Sequence, residues 1–295
     1  MNSILDMASL AKLLTASIAI LVILSGNTEG NDDIKTAKRS TRNSLHVGAF
    51  NIRSFGKSKM KKADIVEHIV TILNRYDVVL IQEVKDSSQT AIAQLLRRLN
   101  DLTGDDWEML ESERLGSGRS YKEQYVFFYR TEKARVLYTY QIPENEIYAR
   151  EPFCIELEYG SSDKRVVLMG LHAAPREAVS ELTELASSIR EVAEVFPDAD
   201  GVVAMGDFNA DCSYVTARER GDLEIFWSYD FDSLIPDEAD TTSGRSDCAY
   251  DRIIVYGSDV RTSRGRVYDF QEDLGLSATT AGKVSDHYPV EFTLY

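Results

Sequence analysis

Two spacings of apolar residues alternate along this chain. Short, almost unbroken apolar runs occur at Leu45 to Phe50, Tyr76 to Ile81, Tyr125 to Tyr129, Arg165 to Leu171 and Gly201 to Gly206. Runs of this length and composition read as strands buried on both faces. Between them the apolar positions recur at three and four residues. Ile65, Ile69, Ile72 and Leu73 predict one amphipathic helix, and Ile92, Leu95, Leu96 and Leu99 a second. Glu177 to Phe196 predicts a third, with Val179, Leu182, Leu185, Ile189, Val192 and Val195 on its inner face. Further strands are expected at Trp107 to Leu110 (an edge), Arg135 to Tyr140, Phe153 to Tyr159 and Cys248 to Tyr256, with a last one after His287. Pro236 to Asp247 is rich in turn residues. Strands and helices alternate without a Pro/Gly/Ser linker, so residues 45–295 read as one domain of α/β class.

Chemistry-bearing residues collect where the strands stop. Asn51 follows the first strand, Glu83 the second and His172 the fourth long run. The run from Gly201 delivers Asp207, Asn209 and Asp211 at its end. Taken alone, each is as well explained by a turn. Their recurrence at one kind of place is not, because ligands of open α/β sheets bind at the carboxyl ends of strands. Glu123, Asp251, Asp286 and His287 complete the set without following strand ends. The ligand atoms are carboxylate and amide oxygens with two histidines, which suits Mg²⁺, Mn²⁺ or Ca²⁺ better than zinc. Acids around such an ion, with a histidine to move a proton, are the equipment for hydrolysing phosphate esters.

Charge and targeting signals narrow the picture. A formal net charge of −15 argues against nucleic-acid binding through an overall basic surface, but not against a phosphodiester substrate bridged by cations. One basic loop, with Arg114, Arg119 and Lys122, could rise beside a nucleic-acid groove or be a solvated turn. Lys12 followed by the apolar run Leu13 to Leu24 has signal-peptide length, short of the ~20 residues that span a bilayer. Residues 1–30 are therefore expected to be a leader cleaved around 25–31, and 31–44 a polar linker, giving a secreted protein without stable membrane association. Three cysteines in an exported chain predict one oxidised pair and one odd thiol. There is no P-loop, nucleophile elbow or dinucleotide fingerprint.

Seven motifs, in order, resemble the deoxyribonuclease I family. They are Phe50-Asn-Ile-Arg53, Ile81-Gln-Glu-Val84, Ser120-Tyr-Lys-Glu123, Leu171-His-Ala-Ala-Pro175, Met205 to Tyr214, Cys248-Ala-Tyr-Asp-Arg252 and Ser285-Asp-His-Tyr-Pro289. The resemblance implies a four-layered sandwich, two mainly antiparallel sheets packed face to face with helices outside. It implies Mg²⁺- or Mn²⁺-dependent, Ca²⁺-stimulated cleavage of double-stranded DNA to 5′-phosphate ends by a monomer. By that resemblance His172 pairs with Glu123 and His287 with Asp251, while Glu83, Asn51, Asp207, Asn209 and Asp286 hold cation and phosphate. Cys212 and Cys248 match the family's disulfide, leaving Cys154 as a thiol buried in its strand. Arg53, Ser87, Tyr121 and Arg150 match DNA-contacting positions, and Lys85 stands where the family has a groove arginine. Asp240, Thr242 and Ser246 match one calcium site. A second, small disulfide of the family has no counterpart here, and a charge in Met109-Leu-Glu111 argues against an actin-binding edge. Two other readings remain: a phosphodiesterase of the same fold acting on lipid or inositol phosphates, and a catalytically silent binding protein.

Overall fold

The computed structural model describes residues 44–116, 122–160 and 164–295. The expected leader, all but the last residue of the linker, and Tyr121 lie outside the described residues. Two six-stranded sheets carry the fold. The first holds β1 (Leu45–Phe55), β2 (Val78–Val84), β3 (Trp107–Glu111), β4 (Gln124–Arg130), β11 (Arg266–Val267) and β12 (Val290–Leu294), in the order β11-β12-β1-β2-β4-β3. The second holds β5 (Ala134–Gln141), β6 (Phe153–Tyr159), β7 (Lys164–Gly170), β8 (Val202–Asp207), β9 (Phe231–Ser233) and β10 (Asp251–Tyr256), in the order β5-β6-β7-β8-β10-β9.

Each sheet contains one parallel pair, β1/β2 in the first and β7/β8 in the second. The other pairings are antiparallel. A parallel pair needs a crossover. Helices α1 (Lys57–Met60) and α2 (Ala63–Leu73) supply it in the first sheet, and α4 (Ala178–Val195) in the second. Helix α3 (Thr90–Thr103) links β2 to β3; α5 (Ala217–Asp222), α6 (Glu224–Trp227), α7 (Phe270–Asp273) and α8 (Ala278–Val284) are short.

Alternation along each strand sorts side chains into layers. Leu45, Val47 and Ala49 of β1 and Leu80 of β2 meet Ile155, Leu168, Val203 and Ile253 of the second sheet in the central core. Their neighbours Phe50, Ile52, Val79 and Ile81 face α2 and α3. Val167, Met169, Val202 and Ala204 face α4. Burial on both faces accounts for the unbroken apolar runs, and the layers are those of a four-layered α/β sandwich.

Several boundaries differ from the sequence expectation, each for a local reason. Strand β1 does not end at Phe50: Asn51 pairs with Gln82, and buried Ile52 and Phe55 continue the helix-facing row. Tyr76 precedes β2 rather than opening it, and its ring packs over β1 where Gly48 has no side chain. Asp251 opens β10 instead of lying inside it, because the amides of Tyr250 and Asp251 both donate to Thr241 Oγ1. Val195 is exposed, since Phe196 takes the last buried position of that helix face. A short edge strand, β11, adds Arg266 opposite Glu291 beyond the strands expected from the sequence.

Candidate active site

Strand direction gathers the scattered polar residues at one edge of the sandwich. The carboxyl ends of the parallel strands β1, β2, β7 and β8 supply Asn51, Glu83, His172, Asp207 and Asn209. The amino ends of the antiparallel strands β4, β10 and β12 lie at that same edge. They supply Glu123, Asp251 and the pair Asp286/His287. The residues that do not follow strands therefore reach the same edge from the amino ends of antiparallel ones.

Local backbone shape aims these groups. Ser54, Glu83 and Asn209 adopt left-handed φ values of 49°, 58° and 49°. Such φ is costly for non-glycine residues and persists where surrounding structure imposes it. The register of β1 and β2 shifts here, opening both strands around Glu83. Gly206 has φ 131°, and a Cβ there would collide with the Leu171 carbonyl and the Gln82 amide.

Asp207 is the centre of the site. Its Oδ2 accepts from Asn51 Nδ2 at 3.0 Å, and its Oδ1 from the Asn209 amide at 3.0 Å. The Nε2 atoms of His172 and His287 approach that same Oδ2 at 3.5 and 3.6 Å. Each imidazole is braced from behind. His172 Nδ1 lies 2.5 Å from Glu123 Oε1, and His287 Nδ1 lies 2.8 Å from Asp251 Oδ2. Asn51 Nδ2 also donates to Glu83 Oε1 at 3.3 Å.

Charge is unevenly held. Burial would push the Glu83 carboxyl up, but the Lys85 ammonium at 2.5 Å, His172 and the Ser54 amide together hold it at about 2. Burial likewise opposes ionisation of Glu123, and His172 and Arg150 outweigh it and lower the carboxyl. Burial alone would strip His287 of its proton; Asp251, Asp207 and Asp286 prevail and push it up to about 10.

Three oxygen atoms at this edge, Asn51 Oδ1, Asp251 Oδ1 and Asp286 Oδ1, are buried without a hydrogen-bond partner among the described residues. Asp207, Asp251 and His287 place ligand atoms within 4.8 Å of one another. Unpartnered oxygens in a cluster of acids fit a hard divalent cation.

The other expected residues are distributed around the rim. Arg53 is exposed and pairs with Asp286 at 3.2 Å; Lys85 is exposed between Glu83 and Glu123, and Ser87 is exposed after β2. Arg150 is largely buried instead. Its Nε donates to the His172 carbonyl at 2.9 Å and lies 3.2 Å from Glu123 Oε1. Asp240, Thr242 and Ser246 come together on a loop bridged to the His287 backbone at Thr242, and Thr242 Oγ1 lies 2.7 Å from both Asp240 Oδ1 and the Ser246 carbonyl. Cys212 and Cys248 are joined, and Cys154 is a buried free thiol.

Several supporting residues were not singled out from the sequence. Gln82 spans the sheets, donating to the Leu171 carbonyl at 2.7 Å and accepting from the Asp207 amide at 3.0 Å. Ser285 Oγ donates to the Asn51 carbonyl at 2.6 Å and accepts from the His287 amide at 3.2 Å. A glutamine ending an apolar run was a visible signal for the first; nothing local marked the second.

The model of the Endonuclease/Exonuclease/phosphatase family matches residues 48–287. Deoxyribonuclease-1 of Bos taurus is 43% identical over 262 residues, covering 85% of this chain and 92% of that protein. Deoxyribonuclease-1-like 2 of Mus musculus is 42% identical over 255 residues, with 84% and 91% covered. Among solved structures, D. rerio TDP2 complexed with single strand DNA product superposes with a TM-score of 0.60 at 18% identity, covering 86% of this chain and all of that one. That likeness concerns the fold. Identity at this level over most of both chains places the protein in the deoxyribonuclease I family, within the Endonuclease/Exonuclease/phosphatase family.

Proposed function

We propose that this chain is a secreted, divalent-cation-dependent endonuclease that hydrolyses double-stranded DNA to 5′-phosphate ends with little sequence preference. One observation carries the reading: two imidazoles, each braced by its own carboxylate, turn their Nε2 atoms toward a single carboxylate oxygen of Asp207. A phosphate held between them has a proton acceptor on one side and a donor on the other. Glu123 and Asp251 fix the imidazole tautomers through Nδ1, leaving Nε2 free for proton transfer. Asp251, which is not among the cation-holding residues, favours the charged form of His287 and suits it to protonate the leaving 3′-oxygen while His172 takes the proton of the attacking water.

Asn51, Glu83, Asp207, Asn209 and Asp286 would hold Mg²⁺ or Mn²⁺ together with the scissile phosphate. The ion supplies neutralisation of the phosphate and of the charge that develops on it. Arg53, Lys85 and Ser87 form the rim that meets the flanking phosphates, an arrangement that reads backbone and groove shape rather than bases. Asp240, Thr242 and Ser246 would hold a structural Ca²⁺. The apolar run at 13–24 and the disulfide both favour an exported protein.

Supercoiled-plasmid nicking tests this directly. With Mg²⁺ and Ca²⁺ the protein nicks, chelator abolishes nicking, and His172→Ala and His287→Ala each lower the rate by about 10²–10⁴-fold. Folded wild-type protein that leaves the plasmid intact would overturn the reading; undiminished nicking by both variants would overturn the assignment of the histidines.

A further inference from the structure

Behind the candidate site, on the face of α4 that meets the sheet, Glu181 is fully buried. One carboxylate oxygen, Oε1, accepts two backbone N–H groups from different segments. The Ala174 amide, two residues after His172, donates at 3.1 Å, and the Ala149 amide, next to Arg150, donates at 3.3 Å. The other oxygen, Oε2, is buried with no partner among the described residues, and so is Arg150 Nη2. Arg150 in turn touches Glu123 and the His172 carbonyl. Arg150, Glu123 and His172 are thus in contact with one another, and Glu181 is tied to them through the amides beside Arg150 and after His172.

We propose that Glu181 is a positioning residue for the reaction: it registers the His172 turn against the Arg150 loop, and its charge state sets how firmly Arg150 is held on Glu123. The proposal rests on the nuclease reading above. A neutral acid at 181 satisfies both amides and leaves the whole guanidinium charge to Glu123. An ionised one places a second negative charge within coulombic reach of the guanidinium. Burial favours the neutral form and pushes the Glu181 carboxyl up to about 7, against the opposing pull of the Ala174 and Ala149 amides, Arg150 and His172. The other titratable groups facing it are Tyr148 of the same loop and Tyr125 of β4, both with phenols raised by burial, and Glu184 on its own helix, which acts on Tyr148. Competition for Arg150 therefore switches on as pH rises through neutrality.

The test uses the full chain with Mg²⁺ and plasmid DNA, comparing wild type, Glu181→Gln and Glu181→Ala from about pH 5 to about pH 9. Glutamine keeps the acceptor oxygen without the charge, so it folds. It should remove a near-neutral inflection from the kcat profile while KM for DNA stays within about twofold. Alanine loses both amide contacts and should lower kcat by about 10²-fold, the usual consequence of a small misplacement of a reacting group. The Arg150 Nε–H resonance, read in cation-free protein, should titrate near neutrality in wild type and stay flat in Glu181→Gln. Superimposable kcat profiles and a flat Arg150 signal in both proteins would overturn the proposal. Wild type that fails to nick overturns the nuclease reading alone, and the Arg150 titration then decides the role of Glu181.

Discussion

At the scale of single residues, the site depends on a carboxylate whose every contact is specified. Asp207 takes its position from Gln82, which joins its backbone amide to the Leu171 carbonyl across the two sheets. Gln82→Leu keeps the volume and removes both bonds. It leaves two buried backbone groups unpaired, which costs about 2–5 kcal/mol in total. Urea unfolding should register that loss. Plasmid nicking should fall with it even under conditions where the variant remains folded, because Asp207 and His172 lose their common reference. A variant with wild-type stability would show that Gln82 is dispensable to this edge.

At the scale of elements, the ends of β8 and β10 must stay in register for Asp207 to face Asp251. Hydrogen bonding does this along the strands, and the Cys212–Cys248 link does it beyond them. Arg220 adds a bond from α5 to Asp211 at 2.8 Å, and fully buried Arg252 holds Asp237 at 2.8 Å. The disulfide closes a segment of 36 residues, worth about 4 kcal/mol on a chain-entropy account. Replacing both cysteines with serine should lower the urea midpoint by an amount corresponding to most of that figure. The catalytic parameters of the folded fraction should change far less, because the strand ladder survives. An unchanged midpoint would mean that the unfolded chain gains no freedom from losing the link.

At the scale of the whole molecule, the edge opposite the candidate site is locked by a different charge cluster. Arg75 donates to both oxygens of Glu291 at 2.6 and 2.8 Å, and His46 Nε2 lies 3.6 Å away. The carboxyl is buried, which opposes ionisation; Arg75 and His46 outweigh this and lower it to about 2. A carboxyl depressed in the folded state stabilises above its unfolded value of about 4.3 and loses that contribution as pH falls toward about 2. Wild-type thermal stability should therefore drop steeply across that acid window. Glu291→Gln should start lower at neutral pH and show a flatter decline. Parallel acid profiles in the two proteins would remove Glu291 from the account of acid unfolding.

Much of this is legible in the amino-acid sequence. The apolar runs and helical spacings located the main strands and helices, because burial on both faces or on one stripe leaves a local imprint in composition. A polar residue closing an apolar run is local too, so Asn51, Glu83, His172, Asp207 and Asn209 stood out from their own neighbourhoods. The residues by themselves did not say which acid serves which histidine; only the resemblance to a family did. Glu123 and His172 are 49 residues apart in sequence, Asp251 and His287 are 36, and they meet because antiparallel strands return their amino ends to the edge where parallel strands finish. Tertiary structure alone decided the rest. Arg150 turned inward to Glu123 rather than outward to solvent. Gln82, Ser285, Thr241 and Glu181 answer buried backbone groups contributed by remote segments. A buried polar side chain is explained by its partner, and a linear sequence carries no mark of which distant carbonyl or amide that partner will be.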